Sequence, residues 1–168
     1  MLGRTLLIAA LISLVFAAHV WAKGITAEIV VRGSELTQPV VIADVETVGQ
    51  FSIWSGPNSH WRSRIGEWQT DYGGLFIDFP AGKAPGRPAG LIEFNVEFHL
   101  ADSPESNPWD ERYRVRYGWV PLESGGFFYL PTRNPFVHHG VEGHWFRSTE
   151  SWERLVRPSI EDSLKQGN

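Results

Sequence analysis

The chain contains no cysteine among its 168 residues. This absence excludes a disulfide framework of the kind small secreted domains often use, a thiol-linked lipid anchor and a cysteine nucleophile. The sequence also lacks a G-x-S-x-G elbow, a P-loop and a dinucleotide fingerprint, which would place a nucleophile or a phosphate at a defined turn. An enzyme is therefore the less favoured interpretation, and we expect the fold to be held by packing alone.

Positive charge is also scarce, with 15 basic against 19 acidic residues and a formal net charge of −4. Nucleic-acid binding depends on a sequence-independent attraction between basic side chains and phosphates, which this balance does not favour. We therefore expect no nucleic-acid partner. No apolar run of membrane-spanning length follows the first 22 residues, so we expect no stable membrane anchor after their removal.

The first 22 residues have the pattern of a secretory signal peptide. Arg4 gives a positive start, Leu6 to Ala18 form an apolar run, and Val20-Trp21-Ala22 offers small residues at a cleavage site. We predict a signal peptide over 1–22, a single globular domain over 23–168, and export to the periplasm or the extracellular space. The alternative is a retained anchor, although the uncharged run is short for a helix that needs about 20 apolar residues.

A long antiparallel hairpin is the clearest structural signal. Apolar and polar residues alternate strictly from Ile92 to Leu100 and again from Arg112 to Trp119, which is typical of strands with one buried face. Pairing opposite charges predicts Glu97 opposite Arg112 and Glu93 opposite Arg116. The arginine row is then a register device, with an anion-binding ladder as the alternative.

Shorter patterns predict the remaining elements. They are a hairpin of Ile25 to Arg32 with Val40 to Ala43, a helix from Val45 to Gln50 capped by Asp44, strands Leu75 to Phe79 and Phe127 to Leu130, and a terminal helix capped by Ser148 that Pro158 kinks or restarts. Residues 60–72 and 132–146 are predicted to be irregular, and the Gly/Pro-rich stretch 81–90 an exposed connection carrying Lys83 and Arg87. We predict an α+β fold: a mainly antiparallel sheet of five to six strands with the C-terminal helix packed on it. A β-sandwich is the alternative.

Both ends of the predicted mature chain carry a recognisable pattern. It comprises Ile25-x-Ala27-x-Ile29-x-Val31-x-Gly33-x-x-Leu36-x-x-Pro39-Val40-x-Ile42-x-Asp44, then Gly140-Val141-Glu142-Gly143-His144-Trp145-Phe146 and Trp152-x-x-Leu155-Val156-x-Pro158. In these segments the chain resembles small secreted bacterial proteins of uncharacterised function. The resemblance implies an exported bacterial protein and implies no activity or catalytic residue.

A cluster of metal-ligating residue types lies between positions 138 and 144. His138, His139, Glu142 and His144 combine three imidazoles with a carboxylate, and both groups bind divalent metals such as zinc. The spacing matches neither HExxH nor a zinc finger. A divalent metal held by these four residues is one hypothesis, and the other is that the histidines are amphipathic packing residues with backbone partners.

Tryptophans are the second candidate feature. Trp119 and Trp152 lie on strand and helix patterns and are expected in the core. Four others fall in loop-like sequence, where indole rings can contact a ligand; they are Trp54, Trp61, Trp68 and Trp109.

The favoured function is a non-catalytic exported binding module that uses its aromatic loops to bind a small molecule, a glycan or a protein. A metal-dependent hydrolase centred on His138, His139, Glu142 and His144 is the alternative. Hydrolysis by paired carboxylates among Asp71, Asp78, Glu93 and Glu97 also stays open, as does a structural envelope component without a discrete site.

Overall fold

The computed structural model describes residues 25–59, 74–101, 112–132 and 137–167, together with the backbone of 68–69. The predicted signal peptide, residues 1–22, lies outside these ranges. Within them, no helix combines the length and the apolar character needed to cross a membrane.

The chain builds a sheet from strands far apart in sequence. The strands are β1 (Thr26–Arg32), β2 (Val40–Ile42), β3 (Gly56–Pro57), β4 (Trp68–Gln69), β5 (Ile92–Leu100), β6 (Arg112–Trp119), β7 (Phe127–Tyr129) and β8 (Trp145–Arg147), and the helices are α1 (Val45–Val48), α2 (Glu150–Leu155) and α3 (Arg157–Gln166). In the described part of the chain, six strands form an antiparallel sheet in the order β2-β1-β5-β6-β7-β8, and β3 pairs with β4. The predicted α+β fold is confirmed. The two-residue strands β3 and β4 do not supply the second sheet of a sandwich.

The central hairpin forms as predicted, but its register is two residues away from the prediction. Glu97 lies opposite Arg114 and Asn95 lies opposite Arg116, so the predicted pairing of Glu97 with Arg112 and of Glu93 with Arg116 is wrong. A period of two cannot separate registers that differ by two residues, because both keep the same face buried. Long side chains also reach diagonal neighbours, and Arg116 Nη1 still lies 2.9 Å from Glu93 Oε1.

The N-terminal hairpin and the short helix are confirmed with small changes. Asp44 caps α1 by accepting a hydrogen bond from Thr47 N at 2.9 Å. The helix ends at Val48 rather than Gln50, and Val45 is 81% exposed. Only the later apolar residues of this segment, Val48 and Phe51, are buried.

The predicted strand from Leu75 to Phe79 is wrong, because this segment forms only one isolated bridge, between Ile77 and Ser148. Two backbone hydrogen bonds hold it beside the sheet, from Asp78 N to Arg147 O at 2.8 Å and from Thr149 N to Phe76 O at 3.0 Å. The neighbouring strand β8 lies at the end of a stretch predicted to be irregular, and three residues are too few to show a period.

The cap of the terminal helix is Thr149, so the predicted Ser148 cap is wrong. Thr149 Oγ1 accepts a hydrogen bond from Trp152 N at 3.3 Å. Ser148 Oγ instead accepts a hydrogen bond from Gly126 N at 3.0 Å and donates one to Glu153. Of the two outcomes predicted at Pro158, a kink or a restart, the structure shows a restart, since Pro158 lies in the first turn of α3, where its missing N–H costs little.

The terminal helices pack on one face of the sheet through an aromatic core. Trp152 is 0% exposed, and its ring lies 4.8 Å from that of Phe128 and 5.2 Å from that of Phe51, both edge to face. Trp119 is buried as well. The core positions predicted for Trp119 and Trp152 are therefore confirmed.

The opposite face of the sheet carries the charged residues of β5 and β6 and a smaller apolar cluster. This second cluster consists of Leu91, Phe127 and Trp145, with Ala84, Val120 and Tyr129 packed against it. It lies beneath the Gly/Pro-rich connection and positions the cleft described below.

Candidate functional site

The Gly/Pro-rich connection is fixed to the edge of the sheet at β8. Ala84 N donates a hydrogen bond to Trp145 O at 2.8 Å, and Lys83 forms an isolated bridge with Phe146. At the start of the connection, Gly82 has a φ of 80°, a conformation that favours glycine. Pro85 and Pro88 lack the N–H needed to continue pairing, so the chain bulges away from the sheet after the bridge.

This bulge and the sheet form an open cleft of about 380 Å³. Residues 81–88 form its wall, and Phe127 and Arg147 of the sheet contribute the remaining lining. Phe127 is only 7% exposed because it belongs to the second apolar cluster. Cavities of this size are typical of small-molecule sites, which combine an apolar lining with a few polar groups.

Among the described residues, the charged groups that line the cleft are the cations Lys83, Arg87 and Arg147. The Arg147 guanidinium carbon lies 5.1 Å from the centre of the Phe127 ring, within the range of a cation–π contact. Among the described residues, neither Lys83 nor Arg147 has a carboxylate within 4.0 Å. The cleft therefore carries positive charge that the described side chains leave largely uncompensated.

Arg87 has a carboxylate partner, Glu93, which it shares with Arg116. Arg87 Nε lies 3.3 Å from Glu93 Oε2, whereas Arg116 Nη1 lies 2.9 Å from Glu93 Oε1. The Arg116 guanidinium carbon also lies 4.1 Å from the centre of the Tyr129 ring and 5.5 Å from that of Trp145. Two aromatic rings thus hold Arg116 in place, and Arg116 holds Glu93.

The rest of the arginine row is paired with carboxylates, as the register interpretation predicts. Arg114 Nε lies 2.9 Å from Glu97 Oε1, and His99 Nε2 lies 3.3 Å from Glu97 Oε2. Burial of the Glu97 carboxyl opposes its ionisation, but hydrogen bonds from Arg114 and His99 outweigh that effect and lower its pKa. Glu93 and Glu97 are thus both occupied by arginines, which leaves the paired-carboxylate hypothesis without support from this face.

His138 of the predicted metal cluster is a core residue. It is 0% exposed, and its φ of 56° lies in the left-handed region. Its Nε2 donates to Ser55 O at 2.9 Å, because a carbonyl only accepts, and its Nδ1 therefore accepts from the Tyr113 hydroxyl at 2.8 Å. Burial lowers the pKa of His138 to about 4. This neutral imidazole has both nitrogens engaged in hydrogen bonds within the protein.

The other three residues of that cluster have separate surroundings and do not share a site. His139 is half-buried, and its carbonyl accepts a hydrogen bond from Asn58 Nδ2 at 2.7 Å. Glu142 Oε2 accepts one from Gly140 N, and His144 is exposed. Among the described residues, no three histidines or carboxylates are placed to hold a metal ion. The geometry gives the predicted metal site and the hydrolase built on it no support.

The four candidate ligand-binding tryptophans are only partly visible. Trp54 is half-buried and packs against the core, and its carbonyl accepts a hydrogen bond from Ser59 Oγ at 2.6 Å. The backbone of Trp68 pairs with Pro57, but its side chain lies outside the described residues. Trp61 and Trp109 also lie outside them, so the ligand-facing role of these residues stays a prediction.

The sequence pointed to the wall of the cleft but not to the part that the sheet contributes. It singled out Lys83 and Arg87, but as parts of an exposed connection. Phe127 and Arg147 were missed because they are separated from that connection by some dozens of residues and join it only through the order of β7 and β8. Two cations within a stretch rich in Gly and Pro are the one local signal that points to the cleft.

A comparison with protein-family models, with curated proteins and with solved structures found no match for this chain.

Proposed function

We propose that this chain is an exported binding module that holds a small-molecule ligand in the cleft between residues 81–88 and the sheet and does not transform it. The observation that carries the proposal is the cleft itself, which joins a buried aromatic ring to cations without carboxylate partners among the described residues. Export follows from the signal-peptide pattern of residues 1–22.

The chemistry of the lining favours binding over catalysis. Among the described residues that line the cleft, the side chains supply cationic and apolar groups but no carboxylate, imidazole, hydroxyl or thiol. Lys83 is the one described lining side chain of a type that serves as a general acid or base, and among the described lining residues no second group of that kind accompanies it. The volume of about 380 Å³ also suits a small molecule, or one unit of a glycan, better than a protein surface.

The experiment that tests this proposal is a fragment screen detected by the backbone amide signals of the protein in NMR spectra. We expect bound fragments to shift the signals of residues 81–88, Phe127 and Arg147 more than those of α2 and α3. Fragments of every charge belong in the screen, so that it tests whether the cleft binds ligands at all.

A matched pair of variants at Gly86 ties binding to the cleft. A Cβ added at Gly86 meets no atom within 4 Å, so Gly86→Trp places a large ring at the wall of the cleft without straining the backbone, and Gly86→Ala adds only a methyl group there. We expect Gly86→Trp to abolish the shifts and Gly86→Ala to retain them, with equal thermal unfolding midpoints. Fragment binding that Gly86→Trp leaves intact, or a screen without any binding at the cleft, contradicts the proposal.

A further inference from the structure

We infer that the ligand of this cleft is a small dianion, such as a phosphate monoester or a dicarboxylate, and that Arg87 exchanges Glu93 for it. This inference rests on the proposed function and specifies its ligand class. Lys83, Arg87 and Arg147 bring three positive charges to one cleft. Among the described residues, Glu93 pairs with Arg87, and the Asp78 carboxylate accepts a hydrogen bond from Ala81 N at the wall of the cleft. Because Glu93 stays paired with Arg116, these three cations face the ligand, and a dianion neutralises two of their charges.

Of the two arginines paired with Glu93, Arg87 is the one that can turn away from it to bind a ligand. Its contact with Glu93 is the longer of the two, 3.3 Å against 2.9 Å for Arg116, and its side chain is 53% exposed. Exposed ion pairs contribute little to stability, typically about 0–1 kcal/mol. Glu93 stays paired with Arg116 when Arg87 turns away, so no buried carboxylate is left without a cation.

The rest of the site suits a compact anion. Guanidinium groups bind carboxylates and phosphates through paired donors, and Arg87 and Arg147 supply two of them, one from the wall and one from the sheet. The proline-rich wall provides apolar surface for the body of the ligand, and Phe127 contributes only the small part of its ring that is exposed. A long polyanion fits less well, because the chain as a whole carries a net charge of −4.

Isothermal titration of the purified protein with two isosteric probes separates charge from shape. Phenyl phosphate is a dianion at slightly alkaline pH, and phenyl sulfate is a monoanion of nearly the same size. We expect phenyl phosphate to bind about tenfold more tightly, because its second negative charge strengthens its Coulombic attraction to the cations of the cleft. Succinate and its monoamide form the matching pair for a dicarboxylate ligand. Whichever of the two dianions, phenyl phosphate or succinate, binds more tightly identifies the ligand as a phosphate monoester or as a dicarboxylate.

Variants assign the effect to named side chains. Arg147→Gln should weaken phenyl phosphate binding about tenfold by removing one cation and its paired donors. Lys165→Gln is its control, since Lys165 lies on α3 in an exposed pair with Asp162, and it should change nothing. Glu93→Gln should strengthen binding a few-fold, because Arg87 then has no competing carboxylate.

Gly86→Glu and Gly86→Gln differ only in charge and enter open space. We expect Gly86→Glu to weaken phenyl phosphate binding and Gly86→Gln to leave it nearly unchanged. Equal affinity for phenyl phosphate and phenyl sulfate, or equal loss in the two Gly86 variants, overturns the dianion inference. If neutral fragments still bind in the cleft, the proposed function survives that result, whereas a cleft that binds no compound of any charge refutes both.

Discussion

Lowering the pH should destabilise this protein through His138 before its carboxylates begin to titrate. The imidazole is fully buried, donates to Ser55 O and accepts from the Tyr113 hydroxyl. Protonation would place a positive charge in a site without water access. Burial therefore lowers the pKa of His138 from 6.5 to about 4.

The sign and the size of the effect follow from that pKa. Because the folded state disfavours the protonated imidazole, the unfolded chain binds a proton that the native protein does not bind between pH 6.5 and about 4. The contribution to stability is fully present above pH 6.5 and is lost as the pH falls toward 4, with a slope of about 1.4 kcal/mol per pH unit. The total loss is on the order of 3 kcal/mol.

The assay is urea unfolding followed by tryptophan fluorescence at several pH values from about 7.5 to about 5, a range chosen because the linkage slope acts there. Glu97 does not interfere, since its pKa is lowered from 4.5 and its contribution disappears only at lower pH. Two variants isolate the imidazole. His138→Asn keeps a residue that tolerates the left-handed φ and removes the titrating group, whereas Tyr113→Phe removes only the hydroxyl.

Both variants should be less stable at neutral pH by about 1–3 kcal/mol, because each leaves a buried polar group without its partner. Only His138→Asn should show a smaller pH slope than the native sequence. Tyr113→Phe should retain the slope, because its His138 is still buried. Equal slopes for the native protein and His138→Asn would refute the argument that burial of this imidazole governs acid stability.

Three further predictions concern packing and surface charge, each read from urea unfolding at neutral pH. Trp152→Ala should cost about 3–5 kcal/mol because it empties the centre of the aromatic core, and a loss under about 1 kcal/mol would mean that the helix does not pack there. Gly126→Ala should cost about 1–3 kcal/mol, since the added Cβ would lie 2.6 Å from the Tyr117 ring, and the control Gly86→Ala should be nearly neutral. Glu97→Gln should cost only about 0.2–1 kcal/mol, with the difference shrinking as salt is added, because its arginine partners are half exposed.

The long strands and the terminal helix could be predicted because their patterns extend over many residues. Nine residues of strict alternation in β5 leave one structural interpretation. Short elements could not be predicted in this way. The three residues of β8 show no period, and the apolar run at 75–79 resembles a strand although it only lies beside β8 with one bridge.

The candidate metal cluster shows the same limit at the level of side chains. Four ligand-type residues within seven positions are a local fact of sequence, but where each imidazole points depends on the backbone. His138 has a left-handed φ, and its ring lies in the core against Tyr113. The four residues are close along the chain, but the structure does not bring three of them together around one point.

The sequence by itself determined what depends on neighbours along the chain: the buried and wet faces of each long strand, the α1 cap at Asp44, the helix restart at Pro158 and the core use of Trp152. Only the tertiary structure decided the hairpin register, since a shift of two residues preserves every face. It also decided the cleft, because Phe127 and Arg147 meet Lys83 and Arg87 only once β7 and β8 have paired beside the central hairpin. Periodicity records which side of an element is buried, whereas a binding site depends on which distant elements become neighbours.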